Sequence, residues 1–438
     1  MSASELTQTS PLIIEKVRHL LREGFNARAF GHIDAPEALG DPRWTEDLIL
    51  AVWSMAETGE VPEGLEFRRG RSGGGFDRLD FDLDEALISV AELENIDTNL
   101  PLNRRGEGGV DLCPPIPWYG GGMSYGSVSE TVMVSRTANS ERWETYTSTG
   151  EGGFPPSLFE HSSAVITQIA TGLFGVEEKT IQAAPIVEFK YAQGAKPGLG
   201  GHLLAAKSGD EVAKMRGTVP FVSLFSPFPF HSVYSVEDHM KHIDWVRTIN
   251  PDALVSVKVS TPHDVDMVAV GSYYAGAHII HLDGSYGGTG AAPEIAKKNI
   301  AMPIELAIPK VHESLVREGI REKVTLIASG GIRTADDMAK AIALGADGCV
   351  LGTTELVAIG CTRCSNCERG RGCTFGLTTT DPELSEWVDK AWAMERLNNL
   401  YTALLSRIRT ILAGLGLSSV AELRGRKDLL RWIEEVPE

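Results

Sequence analysis

The chain has 438 residues, with 41 Lys and Arg against 59 Asp and Glu, and so a formal net charge of −18. A hydrophobic share of 42% and a charged share of 23% are those of an ordinary globular protein, long enough for one large α/β domain plus appendages. The negative balance argues against a sequence-independent grip on nucleic acid or on an anionic membrane, either of which needs a basic face.

Taken in chain order, residues 1–110 read as an N-terminal appendage. An amphipathic helix is predicted around Ile13, Ile14, Val17, Leu20 and Leu21, followed by the Gly- and Arg-rich stretch Arg68 to Gly75. The first residues carry no secretory pattern and no window approaches ~18 uninterrupted apolar residues, so a cytoplasmic protein is expected.

From about 111 to 360 short apolar runs end in Gly, Ser, Thr, Lys or Asp, and most are followed by a helical stretch. The eight runs are Ile116–Tyr119, Glu144–Thr147, Ile186–Phe189, Phe221–Phe225, Leu254–Val257, His278–Leu282, Val324–Ala328 and Gly348–Leu351. Such alternation means crossover units on a parallel sheet, and eight of them in about 250 residues is the arithmetic of a (β/α)8 TIM barrel. A doubly wound open sheet is the alternative, but it carries its phosphate glycines after the first strand, whereas here the richest glycine turns follow runs six, seven and eight. Residues 361–380 form a Cys-rich loop. Residues 381–438 read as a C-terminal helical cap whose apolar face runs through Trp387, Ala391, Met394, Leu397, Leu400, Leu404 and Ile408.

A barrel builds its site from the loops at the C-terminal ends of its strands, with a phosphate cradle after strands seven and eight. Gly330 and Gly331, with Arg333 two positions on, and Gly352 with Thr353, stand where that cradle belongs. There, backbone N–H groups could reach phosphate oxygens and Arg333 could add a charge. Gly288, Thr289 and Gly290 after run six suit the close approach of backbone to a flat ring or a phosphate, although a plain loop would read the same. Lys258, directly after run five, would point into the mouth, where a cation needs an anionic partner. Facing the N1–C2 edge of a reduced flavin, it would stabilise developing negative charge; a structural ion pair is the competing reading. Lys190, Lys196 and Arg216 can be read as a clamp for a dicarboxylate or as solvated loop cations. Glu151 places one carboxylate among glycines, which suits a substrate contact or a proton relay.

Cys361, Cys364 and Cys367 at x2 spacing, then Cys373 after five residues, give the pattern of iron–sulfur ligation; tetrahedral zinc more often uses two separated knuckles. Only seven residues separate Thr353 from Cys361, which puts a one-electron relay beside a ring-bearing cofactor, and a flavin accepts electrons singly and delivers them as hydride.

These residues resemble the FMN-binding synthase domain of glutamate synthases, in its short archaeal-type stand-alone form. The matches run in order through Gly122-Met123-Ser124-Tyr125-Gly126-Ser127, Ser148-Thr149-Gly150-Glu151-Gly152-Gly153, Gly172-Leu173-Phe174-Gly175, Ala192-Gln193-Gly194-Ala195-Lys196-Pro197-Gly198, Ser256-Val257-Lys258, Gly287-Gly288-Thr289-Gly290-Ala291-Ala292-Pro293 and Gly330-Gly331-Ile332-Arg333-Thr334, followed by the cysteines. The resemblance implies FMN in the barrel, an iron–sulfur cluster feeding it, and hydride transfer to 2-iminoglutarate formed from 2-oxoglutarate and ammonia released from glutamine. It implies that Lys190, Gln193, Lys196 and Arg216 hold the substrate carboxylates, that Glu151 sits near the imine, and that Met123, Ser124, Lys258, Gly288, Thr289, Gly290, Gly330, Gly331, Arg333, Gly352 and Thr353 surround FMN.

Three features depart from the family pattern. The usual three-cysteine motif holds a [3Fe–4S] cluster; here Cys364 is added, and four thiolates favour [4Fe–4S] with [3Fe–4S] as the alternative. The stretch Ser226 to Ser232 carries an aromatic residue where a histidine is expected. The 438 residues show no match to the family's glutaminase domain, so the resemblance implies a glutaminase-type partner for ammonia and an NAD(P)H reductase or ferredoxin partner for electrons. The competing readings keep the FMN barrel but give it a different oxo or hydroxy acid, or make the chain a non-catalytic electron-relay subunit.

Overall fold

Eight parallel strands close on one another in strict chain order. They are β1 (Trp118–Gly120), β2 (Thr147–Glu151), β3 (Val165–Ala170), β4 (Ile186–Lys190), β5 (Leu254–Ser260), β6 (Ile279–Asp283), β7 (Thr325–Ser329) and β8 (Gly348–Leu351). The computed structural model describes residues 39–196, 202–227, 230–288, 300–365, 367, 372–373 and 375–434. The amphipathic helix predicted at Ile13–Leu21 lies outside the described residues.

The barrel and its count of eight agree with the sequence reading, but one strand is reassigned. Phe221–Phe225 is not a barrel strand: Leu224–Phe225 pairs antiparallel with His202–Leu203 in a small ribbon on the excursion between β4 and β5. Phe221 and Phe225 there are 64% and 68% exposed, which no buried parallel strand tolerates. The strand that reading lacked is β3, Val-Ile-Thr-Gln-Ile-Ala. It follows a 3-10 segment, Pro156–Ala164, instead of a periodic α-helix, so no helical stretch precedes it. The second run also starts three residues late, at Thr147.

The strands read as near-continuous apolar runs because both faces are covered. Helices begin where side-chain caps take up orphan N–H groups: Ser129 accepts from Val132 ahead of Glu130–Arg142, and Thr334 accepts from Asp337 ahead of Ala335–Leu344. Asp389 caps the long helix Lys390–Gly414. That helix buries Leu397, Leu400, Leu404 and Ile408, as expected, but it starts at Lys390, which leaves Trp387 74% exposed and outside the apolar face.

Three interior layers stack along the barrel axis. The floor is apolar: Tyr119, Ile166, Ile186, Leu254, Ile279, Ile327 and Val350, plugged from below by Leu100 and Leu102 from the segment preceding β1. Each fully buried leucine in that plug contributes about 2 kcal/mol. Above it lies a polar layer of Gln168, Glu188, Ser256 and His281, and above that the charged mouth.

Candidate active site at the barrel mouth

Alternation along a strand sends every second side chain into the barrel, and three strands carry polar residues at that spacing: Glu188 and Lys190 on β4, Ser256 and Lys258 on β5, His281 and Asp283 on β6. In the polar layer Gln168 Nε2 donates to Glu188 Oε1 at 2.6 Å, and Ser256 Oγ donates to Oε2 at 2.9 Å. His281 Nδ1 lies 2.9 Å from the same Oε2, and its Nε2 lies 2.7 Å from Ser329 Oγ. Ser329 donates onward to Asp283 Oδ1 at 2.6 Å, and Lys258 Nζ stands 3.5 Å from Asp283 Oδ2. A continuous polar chain therefore runs from the barrel interior to Lys258 at the mouth. The sequence reading gave a role only to its last member; the period-two polar spacing on β4, β5 and β6 is the signal that could have found the others.

Burial alone would push the Glu188 carboxyl up, but His281, Lys258 and the Gln168 hydrogen bond together hold it at about 2. Asp283 is likewise held below its ordinary value against burial by Lys258, His281, Ser329 and the Gly194 N–H. Because the folded Glu188 value lies below the ordinary 4.5, its contribution to stability is present above that pH and is lost as pH falls toward 2. We expect denaturant midpoints to decline through this window, and Glu188→Gln, which cannot ionise, to flatten the decline. An unchanged slope in the variant would show that Glu188 plays no part.

The other sequence-predicted residues gather around this chain. On β2 the register slips between Ser148 and Glu151, where three residues of β2 span the step taken by two of β3. This bulge re-aims Glu151, whose Oε1 lies 3.1 Å from Lys190 Nζ with both side chains buried. Arg216, the last residue of helix Asp210–Arg216, donates from Nη2 to the Tyr125 carbonyl at 3.0 Å and lies over the Phe174 ring. Burial pulls its guanidinium down, and Glu151 acts in the opposite sense. Gln193 and the buried Lys196 lie on the loop after β4. This loop packs so tightly on β6 that a Cβ at Gly194 would fall 2.0 Å from the Gly284 carbonyl oxygen. Lys190, Gln193, Lys196, Arg216 and Glu151 thus share the C-terminal face with Lys258.

Met123 and Ser124 follow β1 on the same face: a Cβ at Gly150 would sit 2.5 Å from Ser124 N, and one at Gly352 4.0 Å from Met123 Cε. A Cβ at Gly288 would meet Thr353 Oγ1 at 2.7 Å, which brings the sixth and eighth loops together. Thr289 and Gly290 lie outside the described residues. Gly330 (φ +82°) and Gly331 (φ +137°) hold backbone that side chains rarely adopt, with the β6 exit at Gly284 pressed against Gly330. Arg333 is placed differently from the sequence expectation. Its guanidinium is fully buried, with Nε 2.8 Å from Asp337 Oδ2 and Nη2 2.6 Å from Asp77 Oδ1, so its charge is committed to two carboxylates and not to a phosphate.

Cys361, Cys364, Cys367 and Cys373 sit on the loop after the helix Thr353–Ala358. Burial pushes the Cys361 thiol up to about 12, opposed by the Arg363 N–H, and it feels the charges of Cys367 and Cys373. Cys367 is raised by burial and feels Cys364, Cys373 and Lys207. Arg363 and Ser365 both take positive φ, the left-handed backbone that anion-holding loops also use. The four thiols are therefore near neighbours and their donor chemistry suits an iron–sulfur cluster, although among the described residues no three His, Cys, Asp or Glu groups already stand at metal-holding distance. Lys207, which the sequence reading passed over, donates to the Cys367 carbonyl at 2.7 Å and so ties the excursion after β4 to this loop.

Comparison with known proteins decides the family. A family profile described as the conserved region in glutamate synthase matches residues 114–418. The chain belongs to the glutamate synthase family. It is 33% identical to the archaeal-type glutamate synthase [NADPH] of Thermotoga neapolitana, over 94% of this chain and 83% of that one. It is 38% identical to the archaeal glutamate synthase [NADPH] of Archaeoglobus fulgidus, over 82% of this chain and 68% of that one. Among solved structures, a flavocytochrome b2 double mutant with pyruvate bound superposes with a TM-score of 0.51 at 14% identity, covering 97% of this chain and 92% of that one, a likeness of fold. No helix among the described residues is long and apolar enough to cross a membrane.

Proposed function

We propose that this chain is the synthase component of a glutamate synthase, reducing 2-iminoglutarate, formed from 2-oxoglutarate and ammonia, to glutamate. FMN is its cofactor at the barrel mouth, and the cysteine loop holds an iron–sulfur cluster, [4Fe–4S] by its four thiolates. Ammonia comes from a glutaminase-type partner and electrons from an NAD(P)H reductase or ferredoxin partner. The observation that carries the reading is the mouth itself: Lys190–Glu151, Arg216 and Lys258–Asp283 ring one face above a fully bonded polar layer, in a chain of this family.

The residues present fit the groups. Gly288 against Thr353, and Gly331 with its left-handed backbone, leave room that a Cβ would fill, and Met123 and Ser124 face them across the mouth. Bound there, reduced FMN supplies the hydride. The chain's own residues do the rest. Arg216, Lys196 and Gln193 hold the two carboxylates of the oxo acid, for which two or three cationic or amide donors are needed. As C2 takes hydride the imine nitrogen must end protonated; Lys190 Nζ can donate that proton and recover it through Glu151 Oε1, 3.1 Å away. Lys258, fixed by Asp283, presents positive charge to the mouth where negative charge accumulates.

The test is protein prepared without oxygen, assayed for FMN, iron and acid-labile sulfide, then reduced and mixed with 2-oxoglutarate and ammonium. We expect reoxidation, read as return of flavin absorbance, with one glutamate formed per flavin. Protein that holds both groups yet is not reoxidised would overturn the reading in favour of another acid or of an electron relay. In the same preparation Cys364→Ser is expected to lower the iron content from four to three atoms and produce the resonance signal of an oxidised three-iron cluster.

A further inference from the structure

We propose that the cation contacting the FMN phosphate is Arg43, reaching over the cradle from the N-terminal segment, while Arg333 serves to hold that segment in place. The proposal rests on the FMN reading above and names a residue for it that lies far from the barrel motifs in sequence.

Three observations carry it. First, the arginine of Gly330-Gly331-Ile332-Arg333 is closed off: two carboxylates take its Nε and Nη2, and its Nη1 donates to the Arg43 carbonyl at 2.5 Å. Four of the five N–H groups of that guanidinium are so taken, and its charge is balanced by two carboxylates. Second, Arg43 is built into position. Asp41 Oδ1 accepts from the backbone N–H groups of both Arg43 and Trp44 at 2.9 Å, and the Trp44 side chain is buried, so the turn that presents Arg43 is fixed at both ends. Third, its guanidinium is aimed at the cradle and, among the described residues, lacks a partner there. It stacks 3.6 Å above the Tyr286 ring on the loop after β6, and its Nη2 lies 3.3 Å from where a Cβ at Gly331 would be. That Nη2 is buried and, among the described residues, finds no hydrogen-bond acceptor. A buried charged donor without an acceptor is costly, and a phosphate oxygen over Gly331 would satisfy it with a charge-assisted bond. Stacking on Tyr286 keeps the guanidinium planar to its target and limits the freedom lost on binding. The neighbouring carboxyl of Glu305 is pushed up by burial, with Arg43 opposing.

With Arg333 holding the Arg43 carbonyl, the N-terminal segment carries its own guanidinium to the cradle. Asp41 Oδ2 further meets Arg363 Nη2 at 3.3 Å, which joins this turn to the cysteine loop.

The experiment titrates cofactor-free protein with FMN and, separately, with riboflavin, which lacks the phosphate, following quenching of flavin fluorescence. Arg43→Ala is expected to weaken FMN binding tenfold to a hundredfold and to leave riboflavin binding unchanged; Arg43→Lys, which keeps the charge but loses the fork, should fall between. Equal FMN affinity in parent and Arg43→Ala, or equal losses for FMN and riboflavin, would overturn the assignment. Parent protein that binds neither flavin would instead overturn the FMN reading itself, and the two failures are told apart by the parent titration alone. Should Arg43→Ala fold poorly, Arg43→Gln, which keeps the stacked length, carries the same comparison.

Discussion

Lys258→Ala is expected to slow reoxidation of the reduced enzyme by 2-oxoglutarate and ammonium by 10²–10³-fold, the usual cost of removing one preorganised charge from a developing anion, while thermal stability stays close to that of the parent. The asymmetry follows from the contacts. Lys258 gives Asp283 only a 3.5 Å ion pair, and without it Asp283 keeps the Ser329 hydroxyl and the Gly194 N–H at 2.6 and 3.0 Å. The carboxylate is therefore not stranded, and the fold loses little. The chemistry loses its cation. Single-turnover kinetics separate the step from substrate binding; a parent-like hydride-transfer rate in Lys258→Ala would remove the residue from the site. Asp283→Asn, which loosens Lys258 without deleting it, should give a smaller loss and a shifted pH profile.

The mouth was legible in the sequence to the extent that strand ends carry their chemistry in place. Lys190, Lys258 and the glycines after β6, β7 and β8 are read directly, because a parallel strand delivers its last residues to the C-terminal face whatever surrounds it. What surrounds it was less visible. The polar layer of Gln168, Glu188, Ser256 and His281 sits inside runs that otherwise look like apolar core, and only their alignment across neighbouring strands shows them to be one network. β3 escaped because no α-helix precedes it, and Phe221–Phe225 took its place because an exposed aromatic ribbon has the composition of a buried strand. Arg333 shows a different limit: it stands in the motif Gly330-Gly331-Ile332-Arg333, but two of its partners, Asp77 and Arg43, lie more than 250 positions away, and no local pattern reports them. The cysteines are the reverse case, since four thiols in thirteen residues need no tertiary information to be neighbours.

The same long-range dependence governs the largest expected loss of stability. Glu355→Ala is expected to destabilise the protein by about 3–5 kcal/mol, the cost of leaving a buried charge without its partner, out of the 5–15 kcal/mol that folded domains ordinarily have. Glu355 and Arg136 are 1% and 0% exposed at their side chains. Glu355 Oε2 accepts from Arg136 Nε and Nη2 at 2.8 and 2.6 Å, and its Oε1 accepts from the Tyr401 hydroxyl at 2.6 Å. One carboxylate thus joins the helix Glu130–Arg142, the helix Thr353–Ala358 behind the cradle and the long C-terminal helix. Arg136 Nη2 also donates to the Gly121 carbonyl at 2.7 Å, directly before Met123 and Ser124, so loosening the pair loosens the cofactor face as well. Urea unfolding measures the stability, and flavin titration should show weaker binding in parallel. If charge stranding is the cause, replacing both partners by apolar residues, Arg136→Met with Glu355→Leu, should recover much of the loss, because an apolar pair of similar volume needs no compensating charge. A single Glu355→Ala variant within about 1 kcal/mol of the parent, or a double variant no better than the single, would show that the pair does not hold these three helices together.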